Sequence, residues 1–222
     1  MKRLFYLALL VSIVSCSASK KNPVQPRELK VMLTTDSGSM VLKLSNRTPL
    51  HRNNFVKLVK EHFFDSLLFH RVIKGFMIQG GDPTSKRAKQ GQQLGEGSLP
   101  YQIQAEFDTA LFHKKGALAA ARESDADNPA KKSSSTQFYI VAGKTFTDGE
   151  MDKIEEKLHI KIPENHRVVY RTIGGTPFLD MSYTVFGEVI SGLDVLDKIA
   201  GASTDNNDRP VKNIRMKIVM LK

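Results

Sequence analysis

The chain has one cysteine, Cys16, in 222 residues. That excludes an intramolecular disulfide framework and any cysteine-based zinc site. Tryptophan is absent. A helix needs about twenty apolar residues to cross a bilayer, whereas the apolar run Leu4 to Val14 has eleven, broken by Ser12. The six histidines lack zinc-ligand spacing, and Ser133-Ser134-Ser135 lacks the glycines of a nucleophile elbow. There are no internal repeats. Net charge is +10, or +8 without Lys2 and Arg3. Such a balance can attract nucleic acid or anionic lipid. Here the cations are scattered, and the densest group, 86–89, has no aromatic stacking platforms beside it. The charge therefore reads as a solubilising surface. With 41% hydrophobic and 25% charged residues, the composition is that of a globular protein with a proper core, as one large domain or two small ones.

The N-terminus reads as an address. Met1-Lys2-Arg3 is cationic, and the short apolar run fits the centre of a secretory signal. Ile13-Val14-Ser15-Cys16 then resembles the bacterial lipobox. The resemblance implies a signal over 1–15 that is removed, and a diacylated Cys16 as the first mature residue. Residues 16–27 are polar, carry Pro23 and Pro26, and read as a flexible tether. The expected location is the bacterial cell envelope, lipid-anchored. Ser17 in place of an aspartate favours the outer membrane, facing the periplasm; the leaflet itself stays open.

From residue 28 the pattern is dominated by strands. Leu29, Val31 and Leu33 alternate with Lys30, Met32 and Thr34, Asp36-Ser37-Gly38 signals a turn, and 40–44 returns as a hairpin partner. Thr48-Pro49 opens a helix with Phe55, Leu58, Val59 and His62 on one face. Further strands are expected at 67–73, 76–80, 116–121, 137–141, 184–189 and 214–221. Val195, Leu196 and Ile199 mark a second helix stopped by Gly201. Residues 147–175 break the pattern. Thr147-x-x-Glu150 is a capping box, Met151, Ile154 and Leu158 share a face, and Pro163 can open another helix ended by Gly174-Gly175. This is a helical hairpin inserted between strands. Pattern alone leaves barrel and sandwich both open.

Three ordered blocks narrow the choice. Phe69-His70-Arg71-Val72-Ile73-Lys74-Gly75-Phe76-Met77-Ile78-Gln79-Gly80-Gly81-Asp82 closely resembles the cyclophilin signature, 135–140 (STQFYI) is similar to a second block of that family, and 183–189 (YTVFGEV) to a third. The resemblance spans about 28–222 and implies a mainly β fold: an eight-stranded antiparallel barrel capped by two helices, here with the inserted hairpin. It also implies peptidyl-prolyl cis-trans isomerase activity with no cofactor and no metal.

The reaction breaks no bond. Rotation about an amide faces a barrier of about 18–20 kcal/mol from resonance. The enzyme must favour the twisted amide over both planar forms. That calls for an apolar pocket gripping the proline ring, and a fixed donor aimed at the pyramidal prolyl nitrogen. The resemblance implies Arg71 as that donor, since a planar, permanently charged guanidinium suits the task. It implies that Gln79 contacts a substrate carbonyl and helps hold Arg71, with Gln137 as a further substrate contact. Phe76, Met77, Phe138 and Leu179 match the proline pocket. Ala121 and Arg122 match a pair whose backbone meets the substrate chain. His70 is expected to face away from Arg71 as a structural residue. Three departures stand out: Phe178 occupies the place of the family's tryptophan and Tyr183 that of a histidine, both still expected to meet the substrate, and Tyr139 stands where a second phenylalanine is common.

The expected partners are proline-containing polypeptides among exported proteins, and a membrane through the lipid. Nucleic acid is not expected, and the protein is expected to be a monomer. A non-catalytic proline-peptide-binding chaperone module is the alternative; Arg71 speaks against it, because binding alone does not require that residue. The role of the inserted hairpin, partner docking or lid, stays open.

Overall fold

The computed structural model describes residues 28–89 and 91–222. The signal, Cys16 and the tether therefore lie outside the described residues. Among the described residues, ten strands and four α-helices follow in order. They are β1 (Lys30–Thr35), β2 (Gly38–Leu44), α1 (Pro49–Lys60), β3 (Phe69–Ile73), β4 (Met77–Gly80), β5 (Gln102–Ile103), β6 (Ala117–Ala120), β7 (Ser133–Ser134), β8 (Phe138–Val141), α2 (Asp148–Leu158), α3 (Glu164–Thr172), β9 (Val185–Ser191), α4 (Leu193–Ala200) and β10 (Met216–Met220). Eight strands form one antiparallel sheet in the order β10-β1-β2-β9-β6-β8-β4-β3, while β5 and β7 pair separately. The two edges meet just before β3 and β10. Leu68 bridges Arg215, and Met216 N–H donates to the Leu67 carbonyl at 2.8 Å. Hydrogen bonding thus runs round to close the sheet into a barrel and leaves little bare edge.

Period-two alternation sets what goes inside. On β1, Val31 and Leu33 are fully buried, and they join Met40, Leu42, Leu44, Ile78, Leu118, Ile140 and Ile218 in one core. Each such side chain contributes about 1.5–3 kcal/mol on leaving water. α1 adds Phe55, Leu58 and Val59 to that core, and α4 adds Val195, Leu196 and Ile199. α1 starts on Pro49 and has no acidic residue in its first turn. Its free N–H groups are satisfied from far along the chain, because the Glu106 carboxylate accepts from Leu50 N–H (3.0 Å) and His51 N–H (2.9 Å). His62 departs from the expected helical face. α1 ends at Lys60, and His62 sits at φ +55° with an exposed side chain.

The hairpin at 147–175 forms as α2 and α3. Thr147 and Glu150 make the reciprocal capping box, and Pro163 caps α3. Met151 and Tyr170 are fully buried with Phe146 and Ile162, against the partly buried Phe112 and Ile154. Leu158 does not join this face; it is exposed in the last turn of α2. The hairpin returns to the barrel through Gly175, where a Cβ would lie 2.2 Å from the His113 carbonyl oxygen and 2.6 Å from the Tyr170 ring. Only glycine allows that approach.

Candidate active site

Strand register lines up four residues across the barrel wall. Arg71 on β3 stands opposite Gln79 on β4, Gln79 opposite Tyr139 on β8, and Tyr139 opposite Ala119 on β6. Directly opposed residues share a sheet face, so this row is on one side. That side is the outer wall, because Ile78, Phe138, Ile140, Leu118 and Ala120 fill the interior. Arg71 reaches the row through a bulge. The β3–β4 register slips between Phe69 and Arg71, so Phe69 and His70 are both buried while the Arg71 side chain is 42% exposed.

Beside the row lies a hollow of about 180 Å³, lined by Arg71, Phe76, Met77, Gln79, Ala121, Arg122, Tyr139, Leu179 and Tyr183. Space exists because β6 and the residue after it present the methyl groups of Ala117, Ala119 and Ala121 to this second apolar cluster. Phe76 and Phe178 pack together at the rim, ring centroids 5.8 Å apart. Phe178 itself is 38% exposed and lies outside the lining. Arg122 builds a wall. Its guanidinium donates to the Ser182 carbonyl at 2.8 Å and to the Glu123 carbonyl at 2.8 Å, pairs with Asp125 at 2.6 Å, and lies 4.3 Å from the Tyr183 ring centre as a cation–π contact.

The Arg71 fork is held loosely on two sides. Nη1 donates to Gln79 Oε1 at 3.5 Å, and Nε lies 3.5 Å from Asp208 Oδ2. A guanidinium carries five N–H donors, so the rest of the fork is uncommitted by these contacts. Gln79 is oriented by a chain of amides. Its Nε2 donates to Gln137 Oε1 at 3.0 Å, and Gln137 Nε2 donates to the carbonyls of Gly95 (2.6 Å) and Gly97 (2.8 Å). Gln137 thus acts one step behind the hollow. It lines a neighbouring groove of about 660 Å³ that shares Gln79, Ala121 and Arg122 with it.

Two expectations need correction. Phe138 is no part of the hollow. It is 1% exposed inside the barrel, edge-on to Phe55, Phe64 and Phe69. Its neighbour Tyr139 takes the pocket position, because adjacent strand residues face opposite ways. Nor is the backbone of Ala121 free for a substrate. Its N–H donates to Gln137 O at 3.0 Å and its carbonyl accepts from Ser134 N–H at 2.8 Å. The main-chain groups of Arg122 enter neither of these bonds. Asp208, Asp180 and His113 carry no sequence signal of their own, since all three lie outside the three matching blocks and meet the site only through the fold.

His70 is 3% exposed, and neither ring nitrogen has a partner among the described residues. Burial pushes its pKa down from 6.5 to about 4, with Asp82 pulling up and Arg71 and Arg209 pushing down. A folded pKa below the unfolded one means that the native state binds fewer protons. The stability this contributes is full above about pH 6.5 and is lost as pH falls toward 4, about 3 kcal/mol in all. His70→Leu should flatten the fall in urea-unfolding stability between about pH 7 and about pH 4.5. Burial lowers His51 and His166 in the same direction, so part of the slope should remain. A variant that loses as much stability as the wild type over this range would show that His70 is not the group responsible.

An antiparallel barrel bearing an apolar, arginine-flanked hollow on its outer wall is a cyclophilin-type arrangement. The chain belongs to the cyclophilin-type peptidyl-prolyl cis-trans isomerase family: the profile "Cyclophilin type peptidyl-prolyl cis-trans isomerase/CLD" matches residues 30–220. Proteins of Staphylococcus haemolyticus and Staphylococcus aureus named "Putative peptidyl-prolyl cis-trans isomerase" are 34% identical over 192 residues, covering 86% of this chain and 90% of theirs. The fold matches the crystal structure of a cyclophilin-type isomerase of Cryptosporidium parvum, with TM-score 0.62, 23% identity, and 88% of this chain and 99% of that one covered. A second structure of that protein, in the presence of the dipeptide Ala-Pro, matches with TM-score 0.60, 24% identity, and 87% and 99% coverage. The enzyme class is thus peptidyl-prolyl cis-trans isomerase.

Proposed function

We propose that this isomerase is a lipid-anchored protein of the bacterial cell envelope that accelerates rotation about Xaa-Pro bonds in exported polypeptides, without cofactor or covalent intermediate. The observation that carries the reading is the register row Arg71–Gln79–Tyr139 beside an apolar hollow. A pyrrolidine ring enters the hollow against Phe76, Met77, Leu179 and Tyr139. Arg71 N–H groups donate to the prolyl nitrogen as it loses conjugation and gains a lone pair. Gln79, oriented by Gln137, holds the fork and offers its second amide hydrogen to a substrate carbonyl. The backbone of Arg122 pairs with the chain as it leaves the hollow.

Each kcal/mol counts only if it is larger for the twisted state than for the planar ones. Arg71 meets that condition because the planar prolyl nitrogen has no lone pair to accept from it. The test is isomerisation of a Xaa-Pro peptide by the 28–222 segment. Acceleration over solvent supports the reading. A folded segment no faster than solvent would leave only a proline-peptide-binding module.

The anchor rests on Cys16 and the lipobox-like residues before it. Two acyl chains on one cysteine hold a protein firmly at a bilayer, where one holds it marginally. Labelled fatty acid should enter the wild type and be absent from Cys16→Ser, with the variant appearing in the soluble fraction. Equal labelling of both would overturn the anchor.

A further inference from the structure

A buried chain of hydrogen bonds runs from the wall of the hollow into the inserted hairpin. Tyr139 Oη lies 2.9 Å from His113 Nε2, and His113 Nδ1 lies 2.9 Å from Asp180 Oδ1. Asp180 Oδ1 also accepts from His113 N–H at 2.9 Å, and Asp180 Oδ2 accepts from the Tyr170 hydroxyl at 2.6 Å. His113 and Tyr170 are fully buried, and Tyr139 is 5% exposed.

The carboxylate sets the direction of the bonds it makes. A carboxylate only accepts, so Asp180 fixes the proton of His113 on Nδ1. In the Nδ1–H tautomer Nε2 is left as an acceptor for the Tyr139 hydroxyl. Burial raises the pKa of both Tyr139 and Tyr170, with Asp180 adding to it, so both phenols keep the proton they donate. Asp180 directly follows Leu179, another residue of the hollow. One carboxylate therefore anchors two walls of the hollow, and its Oδ2 depends on the hairpin for its donor.

The hairpin is docked at the same place. Phe112, next to His113, stacks on His166 of α3 at 3.8 Å and meets Tyr170 edge-on at 5.6 Å. Phenylalanine at 139 could fill the wall equally well but would sever this link.

We propose that Tyr170, on the inserted hairpin, is a positioning residue for the proline pocket, acting through Asp180 and His113 on the ring of Tyr139. The inference rests on the isomerase reading above. It gives the hairpin a role in the reaction rather than only a place on the surface.

The test is a double-mutant cycle on the full-length chain purified in detergent, with kcat, KM and urea unfolding measured for wild type, Tyr170→Phe, Tyr139→Phe and the pair. Tyr170→Phe should lower kcat/KM roughly threefold to tenfold, mostly in kcat, and should cost nothing further once Tyr139→Phe is present. Its cost in unfolding should persist in both backgrounds, which separates positioning from mere support. The ¹⁵N signals of the His113 ring should show the Nδ1–H tautomer in the wild type and lose that definition in Tyr170→Phe. An unchanged kcat/KM, or the same loss in both backgrounds, would overturn the proposal. If Tyr170→Phe does not fold, Asp180→Asn in the same two backgrounds is judged by the same criterion. A folded wild type without activity overturns the isomerase reading itself, and the positioning role falls with it; additive losses in an active enzyme overturn only the relay.

Discussion

Arg71→Ala should lose roughly a hundredfold to a thousandfold in kcat/KM on a Xaa-Pro peptide, the usual cost of removing one donor aimed at charge that develops in a transition state. The loss should fall on kcat, because the planar amide offers the guanidinium little to bind. Arg71→Lys should recover only a small part, since an ammonium can occupy the place without the rigid fork that spans Gln79, Asp208 and the substrate. Unfolding should barely change: the side chain is 42% exposed and its ion pair with Asp208 is long. An Arg71→Ala enzyme that is folded and fully active would remove Arg71 from the reaction and leave the hollow as a simple binding surface.

Phe138→Ala should destabilise the protein by about 3–5 kcal/mol, as deleting a buried aromatic does. Phe138 is the hub of an aromatic group, edge-on to three other phenylalanine rings at 5.6–6.3 Å. Per folded molecule, kcat/KM should stay within about twofold of the wild type, because the side chain faces away from the hollow. Should the alanine variant fail to fold, Phe138→Leu carries the same comparison at lower cost. Wild-type stability together with a large catalytic loss would return Phe138 to the pocket and overturn the assignment of Tyr139. Urea unfolding and a peptide assay on the same preparation decide between the two.

These two residues show how far the sequence could be read. The alternation of Val31 and Leu33 with Met32 and Thr34 identified β1, and Thr147 with Glu150 identified the start of α2, because both signals are local. Arg71, Gln79, Phe76 and Met77 were found within one continuous block of the chain. Closure into a barrel is not legible in the strand pattern, since it depends on Leu68 meeting Arg215, and it comes from the sequence only through the resemblance of the three blocks. Phe138 and Tyr139 are both aromatic and adjacent, so composition could not say which faces inward; only the pairing of β8 with β4 and β6 fixes the parity. The bulge at β3 defeats simple counting, because Phe69 and His70 are buried in succession. Asp180, His113 and Tyr170 carry no mutual spacing at all; they converge through the folded hairpin.

The pairing of β1 with both β2 and β10 sets a timetable. β1 and β2 can zip together as soon as they exist, being joined by a tight turn. The other side of β1, Val31 to Thr35, is matched to strand residues 216–220, nearly two hundred positions away. Contacts so remote form late and slowly. A chain made one end first therefore carries an open ladder on β1 for most of its synthesis, and the barrel locks only when its last strand arrives. An isomerase of this topology completes its own fold only at the end of its chain.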